Sequence, residues 1–208
     1  MGAIRHPLAD ENGDYYIACE KDDYTYIYKI DTKNNSVSIY DKKFLSFKDD
    51  TLTCSVLGIQ DKKIIIDIDS NWSDEYESYI YAFDISGDKL INERKYVFPQ
   101  SIIDKHGHKL YSYTGVFYGG KFYVIVPISL EYKFYILEID PNGSGGEAKL
   151  FLEEPVDFDM TETVWLRDSK LYFMDSRRVS DIKYMYIDLE TKEQSEIFKL
   201  TYDEVIKS

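Results

Sequence analysis

A chain of 208 residues with 38 acidic and 25 basic side chains carries a formal charge of −13, a field that repels phosphates and anionic headgroups and excludes nucleic acid as an expected partner. No apolar run approaches the roughly 18 residues of a membrane-spanning helix, so membrane insertion is not expected either. Cys19 and Cys54 are too few and too far apart for a zinc site or a disulfide scaffold, and both sit in apolar, strand-like runs where a buried free thiol is the usual case.

The length suits one all-β domain over residues 1–208, and 20 tyrosines make much of its core chemistry amphipathic. Residues 1–14, MGAIRHPLADENGD, carry no secretory-signal pattern, and both an exported and a cytoplasmic protein are compatible with the sequence. The acidic stretch ADENGD (9–14) is explained by the hairpin signal Asn12-Gly13 without a metal.

From residue 24 a form is set that recurs three times. YTYIYKIDTKNNSVSIY (24–40) reads as a Tyr-rich strand ending in an aspartate, a polar turn and a second strand. Later copies are SYIYAFDISGDKLINERKYV (78–97), KFYILEIDPNGSGGEAKLFL (133–152) and KYMYIDLETKEQSEIFKL (183–200). Their pivots, Asp31, Asp84, Asp140 and Asp188, lie 53, 56 and 48 residues apart by subtraction, a period that marks a repeat architecture. An aspartate at one turn in every copy is expected to bond the backbone two residues on and fix the hairpin, not to do chemistry.

Two further strands precede each pivot strand. In the second unit CSVLGIQDKKIIIDID (54–69) turns at Asp61-Lys62; in the third GVFYGGKFYVIVPI (115–128) turns at Gly119-Gly120; in the fourth TVWLRD and KLYFMD (163–175) are joined by a two-residue turn. In the first unit the equivalent strand falls at Leu8, directly after Pro7, so it is expected to be short or supplied from elsewhere, with TYDEVIKS (201–208) as one candidate. One face of each pivot strand, Ile30, Phe83, Ile139 and Ile187 with Tyr28, Tyr81, Leu137 and Met185, is expected to be buried throughout. The other face, with Ile27, Ile80, Ile136 and Tyr184 followed by Lys29, Ala82, Glu138 and Tyr186, is expected to be buried over half its length, as in sheets stacked on sheets. No useful length has helical period, with the short stretch YDEVI (202–206) as the one exception.

The apolar-Asp-x-x-polar-Gly/Asn/Lys form between third and fourth strands resembles the repeats of β-propellers of the YVTN type. VFYGGKFYVIVP (116–127) is similar to a kelch repeat in its paired glycines before an apolar strand, a pair the other three units lack. The likeness covers roughly residues 8–200 and implies an all-β fold, a β-propeller or propeller fragment of about four four-stranded antiparallel blades. The blades fall at approximately 8–44, 52–98, 113–153 and 162–200. A closed four-blade ring, an incomplete or dimeric ring, and a stack or sandwich that never closes are the alternatives; a piece of a larger ring would self-associate through exposed blade edges.

In such a propeller the loops between second and third strands and between blades share a binding face. Here they carry Asp69, Trp72 and Tyr76; His106 and His108; Tyr132; and Arg177 with Arg178. Aromatics with mixed charge suit recognition of another protein or a carbohydrate, against the plain reading of polar loops. Within DIDSNWSDEYES (67–78), Asp67, Asp69, Asn71 and Glu75 take the first, third, fifth and ninth places of an oxygen-rich loop resembling the calcium loops of some propellers. Trp72 stands where those loops carry glycine and no glutamate falls at the twelfth place, so a solvated acidic loop competes; no other cofactor is expected. His106 and His108 would share a transition metal only with a third ligand from elsewhere. The signatures GxSxG, P-loop, HExxH and the Gly-rich dinucleotide loop do not occur, and a glycoside-processing carboxylate pair has no specific signal among so many acids. The expected function is a non-enzymatic binding module for protein, with a carbohydrate-binding or glycoside-processing propeller and a structural ring segment as rivals. GSGG (143–146) resembles a flexible linker as much as a natural hairpin turn.

Overall fold

The structure, a computed structural model, describes residues 7–21, 24–42, 44–46, 52–70, 78–107, 110–128, 131, 133–157, 164–178 and 181–201. They form four antiparallel sheets in chain order. The first holds β1 (Leu8–Ala9), β2 (Tyr15–Lys21), β3 (Tyr24–Asp31) and β4 (Ser36–Ile39), with β5 (Phe44–Ser46) also on β3. The second is the meander β6 (Leu52–Gln60), β7 (Lys63–Ser70), β8 (Ser78–Ser86) and β9 (Lys89–Val97). After a helix, α1 (Gln100–His106), the third holds β10 (Thr114–Tyr118), β11 (Lys121–Ile128) and β12 (Lys133–Ile139). Its outer edge is divided: β13 (Gly146–Glu147) leaves for the second sheet, and β14 (Lys149–Leu150) and β15 (Val156–Asp157) return to β12. The fourth is β16 (Val164–Arg167), β17 (Lys170–Arg178), β18 (Asp181–Asp188) and β19 (Gln194–Thr201).

The turns are those the residues dictate. Asp61 and Lys62 take φ of 50° and 59°, the left-handed pair that matches strand twist in a two-residue hairpin, and Gly119-Gly120 does the same for β10 and β11. Three pivot aspartates cap their own turns. The Asp31 carboxylate accepts the N–H of Lys33 (3.0 Å) and Asn34 (2.9 Å), Asp140 that of Asn142 (3.0 Å), and Asp188 those of Glu190 (2.9 Å) and Thr191 (3.2 Å). Hydrogen bonds to the ionised form hold all three below the ordinary carboxylate range: the Asn34 side chain first for Asp31, the Asn142 N–H for Asp140, the Glu190 N–H for Asp188. Asp84 departs from the pattern and faces cations instead: Arg94 binds it through two nitrogens (3.1 and 2.9 Å), with Lys63 and Asn92 each at 2.8 Å.

Strand patterning then places the sheets face to face. β7, KIIIDIDS, carries isoleucine on both faces because it is buried on both sides: Ile64, Ile66 and Ile68 meet Tyr16, Ala18 and Ile27 of the first sheet, while Ile65 turns to the third. β11 repeats the device, with Phe122, Val124 and Val126 toward the second sheet and Tyr123 and Ile125 toward the fourth. Each such side chain contributes roughly 1.5–3 kcal/mol of transfer free energy. The innermost strands lie side by side, β1 with β6, β6 with β10 and β10 with β16. Three apolar cores therefore join four sheets in sequence order, and among the described residues no core joins the fourth sheet to the first.

This open order corrects the expected burial. Phe83, Ile139 and Ile187 are buried, but Ile30 at the same repeat position is exposed, because among the described residues no sheet packs on that face of the first. Ile27, Ile80 and Ile136 are buried, but Tyr184 is half-exposed, because among the described residues no sheet packs on that face of the fourth. Two local differences and one agreement also emerge. Helix α1 forms where no helical period was legible, anchored by Ile102, which is buried with Phe98 and Leu110 in the second core. The strand at Leu8 is only two residues long, pairing Leu8 with Tyr16, as Pro7 demands. Cys19 and Cys54 are only half-buried, and burial pushes the Cys19 thiol up.

GSGG is not a slack linker. It carries the chain to the edge of β9, where β13 pairs in parallel, Gly146 opposite Tyr96 and Glu147 opposite Val97. The Tyr96 hydroxyl donates to the Asp140 carbonyl, the Ala148 N–H to the Val97 carbonyl (2.9 Å), and the Gln100 N–H to the Glu147 carboxylate (3.2 Å). At Gly145, with φ of 80°, a Cβ would stand 2.5 Å from the Lys95 carbonyl oxygen. Gly145→Ala is expected to cost about 1–2 kcal/mol and to speed amide exchange along this strap, measured by hydrogen exchange; unchanged exchange would refute the reading.

Candidate functional site

At the turn end of the first two sheets, the β1–β2 loop, the β6–β7 turn and the β8–β9 turn converge on a crevice of about 340 Å³. Ile59 and Ile85 line it beside polar groups from all three segments: Glu11 and Asn12, Gln60 to Lys62, and Ser86. A mixed lining of this kind orients a ligand by hydrogen bonds over an apolar base.

One wall is a fixed polar cluster. The Asp10 carboxylate accepts the N–H of Asn12 (2.8 Å) and Asp14 (3.0 Å), forming the turn, and the Tyr16 hydroxyl donates to its other oxygen at 3.2 Å. Tyr16 stacks on Tyr40 with centroids 6.3 Å apart and planes 13° from parallel. Lys29 reaches the Asp14 carboxylate at 2.8 Å, with its ammonium 5.8 Å from the Tyr16 ring centre. Burial pushes the Tyr16 phenol to about 12 and raises that of Tyr40 as well, while the hydrogen bond to Asp14 raises Lys29. The shifts of Tyr16, Tyr40 and Lys29 all favour their protonated forms, so this wall presents a hydroxyl and an ammonium beside the Asp10 and Asp14 carboxylates.

The sequence directed attention to the opposite end, and the structure describes only part of it. Trp72, Tyr76, Asn71, Glu75, His108 and Tyr132 lie outside the described residues. Asp67 and Asp69 are on β7, two residues apart on the face turned to the third sheet, with fully buried side chains; the Ser78 hydroxyl donates to Asp67 at 3.4 Å. His106 ends α1, and its Nε2 lies 3.0 Å from the Tyr135 hydroxyl and its Nδ1 3.2 Å from the Glu131 carboxylate. It is thus packed between elements and not on an open loop. Arg177 and Arg178 close β17, with Arg178 paired to Asp181 in the ladder. Among the described residues no three His, Cys, Asp or Glu side chains gather as a metal ion requires, and no helix is long and apolar enough to cross a membrane.

The crevice was missed because its residues look like turn chemistry.

Four consecutive antiparallel sheets, joined face to face along their first strands and not closed into a barrel, define this as a β-propeller-like, all-β fold. The chain is similar in structure to the Pyrococcus horikoshii acylaminoacyl peptidase, with a TM-score of 0.55 and 16% identity over 93% of this chain. The chain spans 32% of the length of that protein, and at such identity the likeness concerns the fold alone. No protein-family model and no curated protein sequence matches the chain.

Proposed function

We propose that this chain is a non-enzymatic propeller-type binding module, of the YVTN-like or kelch-like kind, whose ligand is a segment of another protein bound in the crevice between the first two sheets. The observation that carries this reading is the crevice itself, built from three turns that differ among the repeats, with Glu11 and Asp61 on its rim. A protein ligand is favoured over a sugar because the crevice's aromatic ring, Tyr16, is only 3% exposed and stacked on Tyr40, leaving no open platform for a pyranose face. The overall charge of −13 and the two rim carboxylates favour a ligand bearing lysine or arginine.

The test uses arrays of basic, neutral and acidic peptides beside a glycan array. Binding is expected to basic peptides, to weaken with salt, and to fall roughly tenfold when Glu11→Gln is combined with Asp61→Asn. Asparagine tolerates the left-handed backbone at position 61, so the turn is kept. Glycan binding without peptide binding, or peptide binding indifferent to both substitutions, would overturn the assignment.

A further inference from the structure

Among the described residues, the two outward faces of the sheet series are interface-like faces with no sheet packed on them. On the pivot strands, Tyr81 and Phe83 pack toward the preceding sheet, as do Leu137 and Ile139, and Met185 and Ile187. Tyr28 and Ile30 hold the same repeat positions in the first sheet, and among the described residues no sheet packs against them. Around them Tyr15, Ile30, Val37 and Ile39 stand in register across β2, β3 and β4, and all four are exposed. Conversely, Ile27, Ile80 with Ala82, and Ile136 pack toward the following sheet, and the equivalent positions of the fourth sheet are Tyr184 and Tyr186. These belong to an aromatic array with no sheet over it: Trp165 stacks on Tyr172 (5.4 Å, 7°), Tyr172 meets Tyr186 (5.9 Å), and Tyr184 stacks on Phe198 (4.5 Å).

We infer that these two faces pair with each other between copies of this chain, the first sheet of one copy docking on the fourth sheet of another. Each copy carries one face of each kind, built at the positions that the repeat uses for sheet-to-sheet packing, so a second copy supplies both complements at once. Two copies of four sheets make eight, within the roughly four to eight of propeller rings, and such a head-to-tail contact closes into a two-fold assembly when the rotation per sheet permits. An uncovered aromatic sheet face of this extent is otherwise an association hazard.

Sedimentation velocity of the full chain is expected to give a species of twice the monomer mass. Ile39→Glu on the first face and Trp165→Glu on the fourth are each expected to weaken it roughly a hundredfold, since each buries an unpaired carboxylate at the contact. These positions are 42% and 38% exposed, so the monomer fold is retained, which circular dichroism checks. Val37→Lys, at a position 64% exposed, repeats the first arm should Ile39→Glu disturb the sheet. Mixing the two variants is expected to restore a dimer, because one of its two contacts is then unaltered on both sides. A monomer at all concentrations, or a dimer that survives both substitutions, would overturn the inference.

Discussion

Phe122→Ala is expected to destabilise the protein by about 4 kcal/mol, read from the midpoint and slope of urea unfolding. The Phe122 ring is fully buried in the core between the second and third sheets, edge-on to Phe117 at 4.7 Å. It lies across two glycines on the neighbouring first strands. A Cβ at Gly58 would stand 2.4 Å from the ring, and one at Gly115 would stand 2.4 Å from the ring and 2.8 Å from the Tyr123 carbonyl oxygen. Both glycines are thus the mould for one phenyl group. Gly58→Ala alone is expected to cost about 2–3 kcal/mol through overpacking, yet far less once Phe122 is alanine, because the added methyl then enters the vacated volume. Strict additivity of the two substitutions would show that the ring does not bridge the sheets in this way.

The second large effect is expected at Asp84. Asp84→Ala leaves the Arg94 guanidinium and the Lys63 ammonium, both largely buried, without their shared carboxylate, at a cost of about 2–3 kcal/mol. Acid should have the same effect on the native protein. The Arg94 hydrogen bonds, followed by those of Lys63 and Asn92, hold the Asp84 carboxyl well below its ordinary 3.8. A carboxyl depressed on folding contributes stability that is complete above the unfolded value and is lost as pH falls through the folded one. Wild-type stability should therefore decline steeply below about pH 4, and Asp84→Asn should decline less steeply over the same range. Equal slopes in urea titrations at several acidic pH values would reject this role.

Much of the fold was legible because the repeat speaks twice, once in the turns and once in the strands. Asp61-Lys62 and Gly119-Gly120 announce hairpins through backbone conformations few residue pairs adopt, and the unbroken run Ile64–Ile65–Ile66 announces a strand covered on both faces. Pro7 likewise foretold the two-residue strand at Leu8. What stayed hidden depends on neighbours and not on local pattern. Ile30 and Phe83 read identically, and only the place of their sheets in the series makes one exposed and the other buried. Asp84 was grouped with the turn-capping aspartates because its cations, Lys63 and Arg94, come from the strands on either side. The crevice was obscure for the same reason, since Glu11, Asp61 and Ser86 belong to separate turns that only the packing of two sheets brings together.

The strap from Gly145 to Ala148 also bears on how the molecule assembles and comes apart. Gly146 and Tyr96 are 50 residues apart by subtraction, so the outer border of the second sheet is finished only after the chain has turned through the third. A contact of that sequence separation is slow to form and, once made, ties the two sheets into one opening unit. Within one copy, and among the described residues, the first and fourth sheets each pack on a single neighbour and are expected to open at lower free energy than this pair. The interior sheets therefore act as the lasting scaffold, and the outer two as the parts that exchange most readily with their surroundings.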